Sequence, residues 1–299
     1  MIIWRTTRFA IDLSRPRVMG IVNATPDSFA DGGSGRQALA AIALVDRHLE
    51  AGADLIDIGG ESTRPGATAV PAREERARVL PVLRHAVRQG VPVSVDTRRL
   101  SVMQMALDEG ADIINDVQAL QAPGAARLLA RQRDTGICLM HMRGEPKSMR
   151  QLAHYVDVVR EVSDFLQGRV AALEALGVAR DRIVLDPGIG FAKTAEHNLM
   201  LHRRQSELVS LGFPLLVGWS RKATLGTITG RAVDDRLVAS VTAALASAVS
   251  GARILRVHDV AATVDALRVW QAFDMPRSAH GEQQPPGANE HHDATLLRH

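Results

Sequence analysis

The stretch VPVSVDTRRLSVMQMALDEGADIINDV (91–117) decides the fold. It opens on an apolar, β-branched run ending in Asp96 and Thr97, passes through a helical pattern over Ser101–Glu109, and closes on a second apolar run ending around Asn115. Strand, helix and strand in one short span form the unit of a parallel α/β sheet. Strands buried on both faces lose polar alternation and read as continuous apolar runs; both runs here have that character.

Outward from this unit the pattern repeats. Further strand runs are RVMGIVN (17–23), DLIDIGG (54–60), GICLMH (136–141), RIVLDP (182–187), PLLVGWS (214–220) and RILRVHD (253–259). Helical patterns lie between and after them, over Gln37–Ala51, Arg73–Gln89, Gly124–Arg133, Ala153–Leu176, Glu196–Ser210, Asp234–Ser250 and Ala261–Phe273. Eight strands, each followed by a helix, predict an α/β protein with a single-domain (β/α)8 TIM barrel over 17–275. The competing open, doubly wound sheet lacks its glycine fingerprint after the first strand. Residues 1–16 alternate apolar and polar and predict a small β-hairpin extension. Residues 276–299 are polar, contain Pro and Gly, lack periodicity and predict a disordered tail.

Composition narrows the class. A length of 299 residues suits one barrel with tails, and 46% hydrophobic with 23% charged residues excludes a chain dominated by disorder. A lone cysteine, Cys138, excludes an intrachain disulfide and a cysteine-clustered metal centre. The first residues do not read as a signal peptide. The longest uncharged stretch, Leu237–Ala252, is too short for a membrane span. A soluble cytoplasmic protein is expected. Net charge is only +3, arginines are scattered and aromatics make up 3%, so the basic stripe with stacking rings of a nucleic-acid binder is missing.

Barrel active sites lie at the C-terminal ends of the strands. Those ends read Asn23, Asp57, Asp96, Asn115, His141, Asp186, Ser220 and the pair Arg256/His258, a polar residue at nearly every one. Two long Gly/Pro-rich loops follow the first two barrel strands, NATPDSFADGG (23–33) and DIGGESTRPGA (57–67). The first carries Asp27 and Asp31; the second offers Thr63 and Arg64 to an anion. Two such loops on one face suggest a lid.

These loops resemble the two signature loops of the dihydropteroate synthase family, which is pterin-binding. The resemblance continues through SVDT (94–97), IINDV (113–117), LMHMRGEPKSM (139–149), LDPGIGFAKT (185–194), GWSRKATLG (218–226) and RVHD (256–259), effectively the whole barrel. It implies a transferase of folate biosynthesis that joins 4-aminobenzoate to (7,8-dihydropterin-6-yl)methyl diphosphate, giving 7,8-dihydropteroate and diphosphate. It also implies Mg2+ as cofactor, a sulfonamide target and a homodimer.

The residues suit that chemistry. A pterin edge offers adjacent donors and acceptors, which carboxylates and an amide can match. The resemblance gives the pterin to Asp96, Asn115, Asp186, Lys222 and Arg256. It gives the diphosphate to Asn23, Thr63, Arg64, Arg256 and His258, with Asn23 as an oxygen ligand to Mg2+. Phe29, Pro65, Phe191, Ser220, Lys222 and Ala223 are assigned to 4-aminobenzoate, whose carboxylate would face the start of a helix after Lys222. The catalytic set is Asp31, Arg64, Lys222, Arg256 and His258. The expected mechanism is dissociative: the methylene C–O bond breaks first, Asp31 stabilises the pterin cation, and the amine then attacks. Ala24, Ala192 and Ala223 depart from the family pattern, where a larger aliphatic, a glycine and a serine are usual. Alternative readings are a pterin-dependent methyltransferase and a non-catalytic pterin-binding homologue.

Overall fold

Alternate residues of the strand Arg17–Asn23 face opposite ways, and the two sets build two different cores. Val18 and Val22 join Ile56, Ile58, Val93 and Val95 in packing against Ala41, Val45, Val79 and Val82 of the surrounding helices. Met19 joins Leu55, Ile113, Cys138, Val184, Leu216 and Ile254 in a separate interior cluster.

The computed structural model describes residues 2–25, 34–64 and 66–274. A hairpin, β1 (Ile3–Arg5) with β2 (Ala10–Asp12), precedes the barrel. The barrel strands and helices follow in order: β3 (Arg17–Asn23), α1 (Ser34–Glu50), β4 (Leu55–Gly59), α2 (Ala72–Val87), β5 (Val93–Asp96), α3 (Leu100–Asp108), β6 (Ile113–Asp116), α4 (Ala125–Arg131), β7 (Gly136–Met140) and α5 (Val158–Glu174). Then come β8 (Ile183–Asp186), α6 (Ala195–Arg203), α7 (Gln205–Val209), β9 (Leu216–Val217), α8 (Ala223–Thr229), α9 (Leu237–Val249), β10 (Ile254–Val257) and α10 (Val260–Asp274). The eight barrel strands form one parallel sheet in the order β8-β7-β6-β5-β4-β3-β10-β9. A bridge between Leu185 and Leu215, with Leu185 N–H donating to the Pro214 carbonyl at 3.0 Å, brings its ends together. This is the expected (β/α)8 barrel.

Inside the barrel, chemistry changes over one register step. Two residues beyond the apolar ring, Leu55 gives way to Asp57, Ile113 to Asn115, Val184 to Asp186 and Ile254 to Arg256. Two residues of extended chain rise about 7 Å. The base is sealed by the hairpin, whose fully buried Trp4 sits in the interior cluster and donates its indole N–H to the Arg182 carbonyl at 2.9 Å. Arg8 ties the hairpin to the barrel through Asp112, which also accepts the Val93 N–H.

Several element boundaries shift by a few residues from the sequence expectation, and three of the shifts have a visible cause. The strand expected over 214–220 forms a ladder only at Leu216–Val217, with the single bridge at Leu215 before it, because the chain then turns toward Ser220–Lys222, with Arg221 at φ 59. The helix expected over Glu196–Ser210 breaks at Arg204 (ψ 26), whose guanidinium is held by Asp157 and Glu207. The one expected from Ala153 begins at Val158, where the Asp157 carboxylate caps the Val159 and Arg160 N–H groups.

Candidate active site

The ionic ring above the apolar core forms the floor of a cavity of about 520 Å³. Its centre is Arg256. Nε donates to Asp57 Oδ2 at 2.7 Å, and Nη2 donates to Asp96 Oδ2 at 2.9 Å and lies 2.6 Å from Asp57 Oδ2. Asn115 Nδ2 donates to the same Asp57 oxygen at 3.4 Å. Burial would lower the Arg256 pKa, and the two carboxylates more than reverse that, so the guanidinium stays charged. Asp96 is pushed up to about 7 by burial, against the pull of Arg256 and with the help of neighbouring Asp57. Asp186 is also raised by burial, opposed by the Gly188 N–H that donates to it at 2.7 Å.

Asp57 is the functional residue that sequence reasoning left without a role. It is fully buried, does not line the cavity, and orients Arg256 from below. Among the described residues its Oδ1 has no hydrogen-bond partner.

One wall is the segment after β8. Gly188 stands at φ +71, and a Cβ there would lie 2.0 Å from the His141 carbonyl oxygen, so only glycine fits. Ala192 has φ 50, the left-handed region where glycine is at ease, which is a physical reason for the glycine usual at this position. Lys193 staples the wall: Nζ meets His141 Nδ1 at 2.9 Å and donates to the carbonyls of Phe191 at 3.0 Å and His141 at 3.3 Å. Burial pushes its pKa well down.

The Ser220–Lys222 turn forms the adjoining wall. Arg221 is pinned to Asp259 at 2.7 Å, and Lys222 Nζ lies 4.2 Å from the centre of the Phe191 ring. Burial, then the charge of Arg256, lowers Lys222 to about 8. The Ser220 hydroxyl accepts the His258 backbone N–H at 3.1 Å and lies 3.0 Å from His258 Nδ1. Burial and the surrounding Arg256, Arg221 and Arg64 charges hold His258 down at about 3, so it is a neutral imidazole.

Asn23 at the end of β3, and Thr63 and Arg64 after β4, complete the lining. The structure therefore brings Asn23, Thr63, Arg64, Asp96, Asn115, Asp186, Phe191, Ser220, Lys222, Ala223, Arg256 and His258 to one cavity. Phe29, Asp31, Pro65 and the 276–299 tail lie outside the described residues. Met149, Arg150 and Arg236 also line the cavity, from connections whose sequence gave no chemical signal. Among the described residues no group of three His, Cys, Asp or Glu side chains could hold a metal ion. Cys138 is a buried thiol, its pKa raised by burial.

Residues 19–258 match the family model described as pterin binding enzyme. A dihydropteroate synthase of Neisseria meningitidis serogroup B is 55% identical over 277 residues, covering 91% of this chain and 97% of that one. The chain belongs to the dihydropteroate synthase family. Solved dihydropteroate synthases share the architecture. That of Xanthomonas albilineans with 4-aminobenzoic acid superposes with a TM-score of 0.84 at 51% identity, covering 89% of this chain and 96% of the other. The same enzyme in complex with 7,8-dihydropteroate gives 0.82 at 48% identity, covering 89% and 97%. The pterin binding enzyme match runs from Met19 in β3 to His258 and includes every cavity residue named above. No helix among the described residues is long and apolar enough to cross a membrane.

Proposed function

We propose that this chain condenses 4-aminobenzoate with (7,8-dihydropterin-6-yl)methyl diphosphate, releasing 7,8-dihydropteroate and diphosphate as a transferase of folate biosynthesis. The observation that carries this reading is one cavity in which the acceptor and amide groups Asp96, Asn115 and Asp186 adjoin the cations Arg64, Lys222 and Arg256. A pterin-only site has no use for that many cations; a substrate that loses diphosphate does. The test is diphosphate release in a coupled assay. Release that depends on added 4-aminobenzoate is expected; release absent, or methyl transfer instead, would leave a binding homologue or a methyltransferase.

Asp96, Asn115 and Asp186 are assigned to the pterin edge, with Lys222 and Arg256 closing on it. Arg256 uses Nε and Nη2 on carboxylates, leaving Nη1 for the ligand. Arg64, Arg256, Thr63, Asn23 and His258 are assigned to the diphosphate. The ring of 4-aminobenzoate is assigned to Phe191, Phe29 and Pro65, with Ser220, Lys222 and Ala223 toward its carboxylate. The C–O bond at the methylene breaks as Arg64 and Arg256 take up the charge growing on the departing oxygen. Asp31 is assigned to the electrostatic stabilisation of the pterin cation. The amine, already a nucleophile, forms the C–N bond and then loses its proton to water.

The donor set fits Mg2+ that arrives with the substrate. One amide oxygen, Asn23 Oδ1, is a hard ligand, and Mg2+ is commonly held by one or two protein oxygens plus phosphate and water. Such an ion would neutralise charge on the leaving group.

The chain is proposed to work as a homodimer in the cytoplasm. An apolar groove of about 860 Å³ between α8 and α9, lined by Trp219, Leu225, Ile228, Leu237 and Val238, supports the dimer. Ile228 is 58% and Val238 77% exposed, and together with Leu237 they make a contiguous apolar patch of the kind that marks interaction surfaces.

A further inference from the structure

The segment that carries Thr63 and Arg64 leaves β4 beyond Gly59 and returns to α2 at Ala72. Its two ends are fastened at a neck. Glu61 Oε1 accepts the Val70 N–H at 3.1 Å. Arg99, on the connection between β5 and α3, spans the same neck: Nη2 donates to Glu61 Oε1 at 3.0 Å and to the Val70 carbonyl, and Nη1 donates to Glu75 Oε2 of α2 at 2.9 Å. Arg98 Nε adds a bond to Glu61 Oε2 at 3.0 Å.

The arginine is itself fixed. Its backbone N–H donates to Thr97 Oγ1 at 3.2 Å, and that hydroxyl donates to Glu75 Oε1 at 2.6 Å. Thr97 directly follows Asp96 of the cavity floor. Gly60 presses the start of the segment onto α2; a Cβ there would lie 2.8 Å from Val79 Cγ2 and 2.9 Å from the Glu75 carbonyl oxygen. None of Glu61, Val70, Glu75, Arg98 and Arg99 lines the cavity. Burial alone would raise Glu61, and Arg99 and Arg98 reverse it, so this carboxylate is held ionised.

We propose that Arg99 is a positioning residue for the diphosphate end of the reaction, holding the neck of the 61–70 segment so that Thr63 and Arg64 stand at a fixed place relative to Asp96. This rests on the assignment of Thr63 and Arg64 to the diphosphate. A guanidinium can serve three acceptors in three directions from one plane; an ammonium at the end of a lysine cannot span them. The role bears on the anion, because the Arg99 side chain fastens the segment that carries Thr63 and Arg64, whereas Asp96, Asn115 and Asp186 are fixed by the strand pairing of β5, β6 and β8.

The test compares Arg99→Lys, which keeps the charge over the two buried glutamates, with Arg99→Ala. In Arg99→Lys the KM for the pterin diphosphate should rise at least fivefold, while affinity for the phosphate-free 6-hydroxymethyl pterin stays within twofold. Arg99→Ala should lose more. Hydrogen exchange at the Val70 amide should quicken in Arg99→Lys with the barrel strands unchanged. A wild-type KM in Arg99→Lys, or equal loss of the phosphate-free pterin, would overturn the proposal. If the unaltered enzyme shows no 4-aminobenzoate-dependent diphosphate release, the functional reading fails on its own. Calorimetry with inorganic diphosphate, unaltered protein against Arg99→Lys, then still decides the role of Arg99: weaker binding in the variant supports it and equal binding overturns it.

Discussion

Asp96 and Lys222 face one cavity with displaced acidities, and the signs give a pH window. Asp96, raised to about 7, is the carboxylate acceptor above that pH and loses this form as pH falls through it. Lys222, lowered to about 8, is the ammonium donor below that pH and loses this form as pH rises through it. The kcat/KM for the pterin diphosphate, which reports the free enzyme, should therefore be bell-shaped with its maximum between these values. Asp96→Asn should lose the acid limb along with much of the activity; a flat profile from pH 6 to 9 would contradict the assignment. At Ala223 a serine would add one hydrogen bond to the 4-aminobenzoate carboxylate. Such a bond is worth ~1.5–3 kcal/mol at best, and less where water already fills the gap. The contact is far from the reacting atoms and equal in ground and transition states, so Ala223→Ser should lower the KM for 4-aminobenzoate several-fold and leave kcat unchanged. Steady-state kinetics showing an unchanged or raised KM would place the carboxylate elsewhere. Asp96 was legible because it ends an apolar strand run, and Lys222 and Ala223 because they stand in the turn and helix start that follow one. Asp57 and Arg99 were not, because their meaning lies in distant partners: Arg256 is 199 residues from Asp57, and Glu61 is 38 from Arg99.

Among the elements, the N-terminal hairpin carries a separable duty. Trp4 fills the end of the barrel opposite the cavity and spends its indole N–H on the Arg182 carbonyl. Trp4→Ala should cost about 3–5 kcal/mol, read as a lower urea midpoint. In the folded fraction kcat/KM should stay within twofold; a larger loss would mean the base and the mouth are coupled. Legibility at this scale followed burial. Strand β3 occupies Arg17–Asn23, the run read from the sequence, because both its faces are covered and every position but the ends is buried. Strand β9 shrank to two residues because apolar character alone does not say where a ladder ends; the left-handed turn at Arg221 does. The break at Arg204 depends on ion pairs to Asp157 and Glu207, and the first of these crosses between helices, out of reach of a periodicity argument.

The whole molecule presents an exposed apolar face on α8 and α9, and every cavity residue described comes from one chain. A charge placed in that face should therefore separate assembly from activity. If the proposed homodimer forms, the unaltered protein should give twice 32.3 kDa by light scattering and Val238→Lys 32.3 kDa, with kcat retained. A monomer from the unaltered protein would rule out the homodimer. The apolar ring and the ionic ring lie on the same strands, one step apart, and their fates under selection differ. An antagonist that occupies the mouth presses only on strand tips and the connections beyond them. Descendants can vary the connections while the ring below, which fills the barrel, stays untouched. Resistance in such an architecture need not compromise folding, and a lineage can change what it admits without changing what it is.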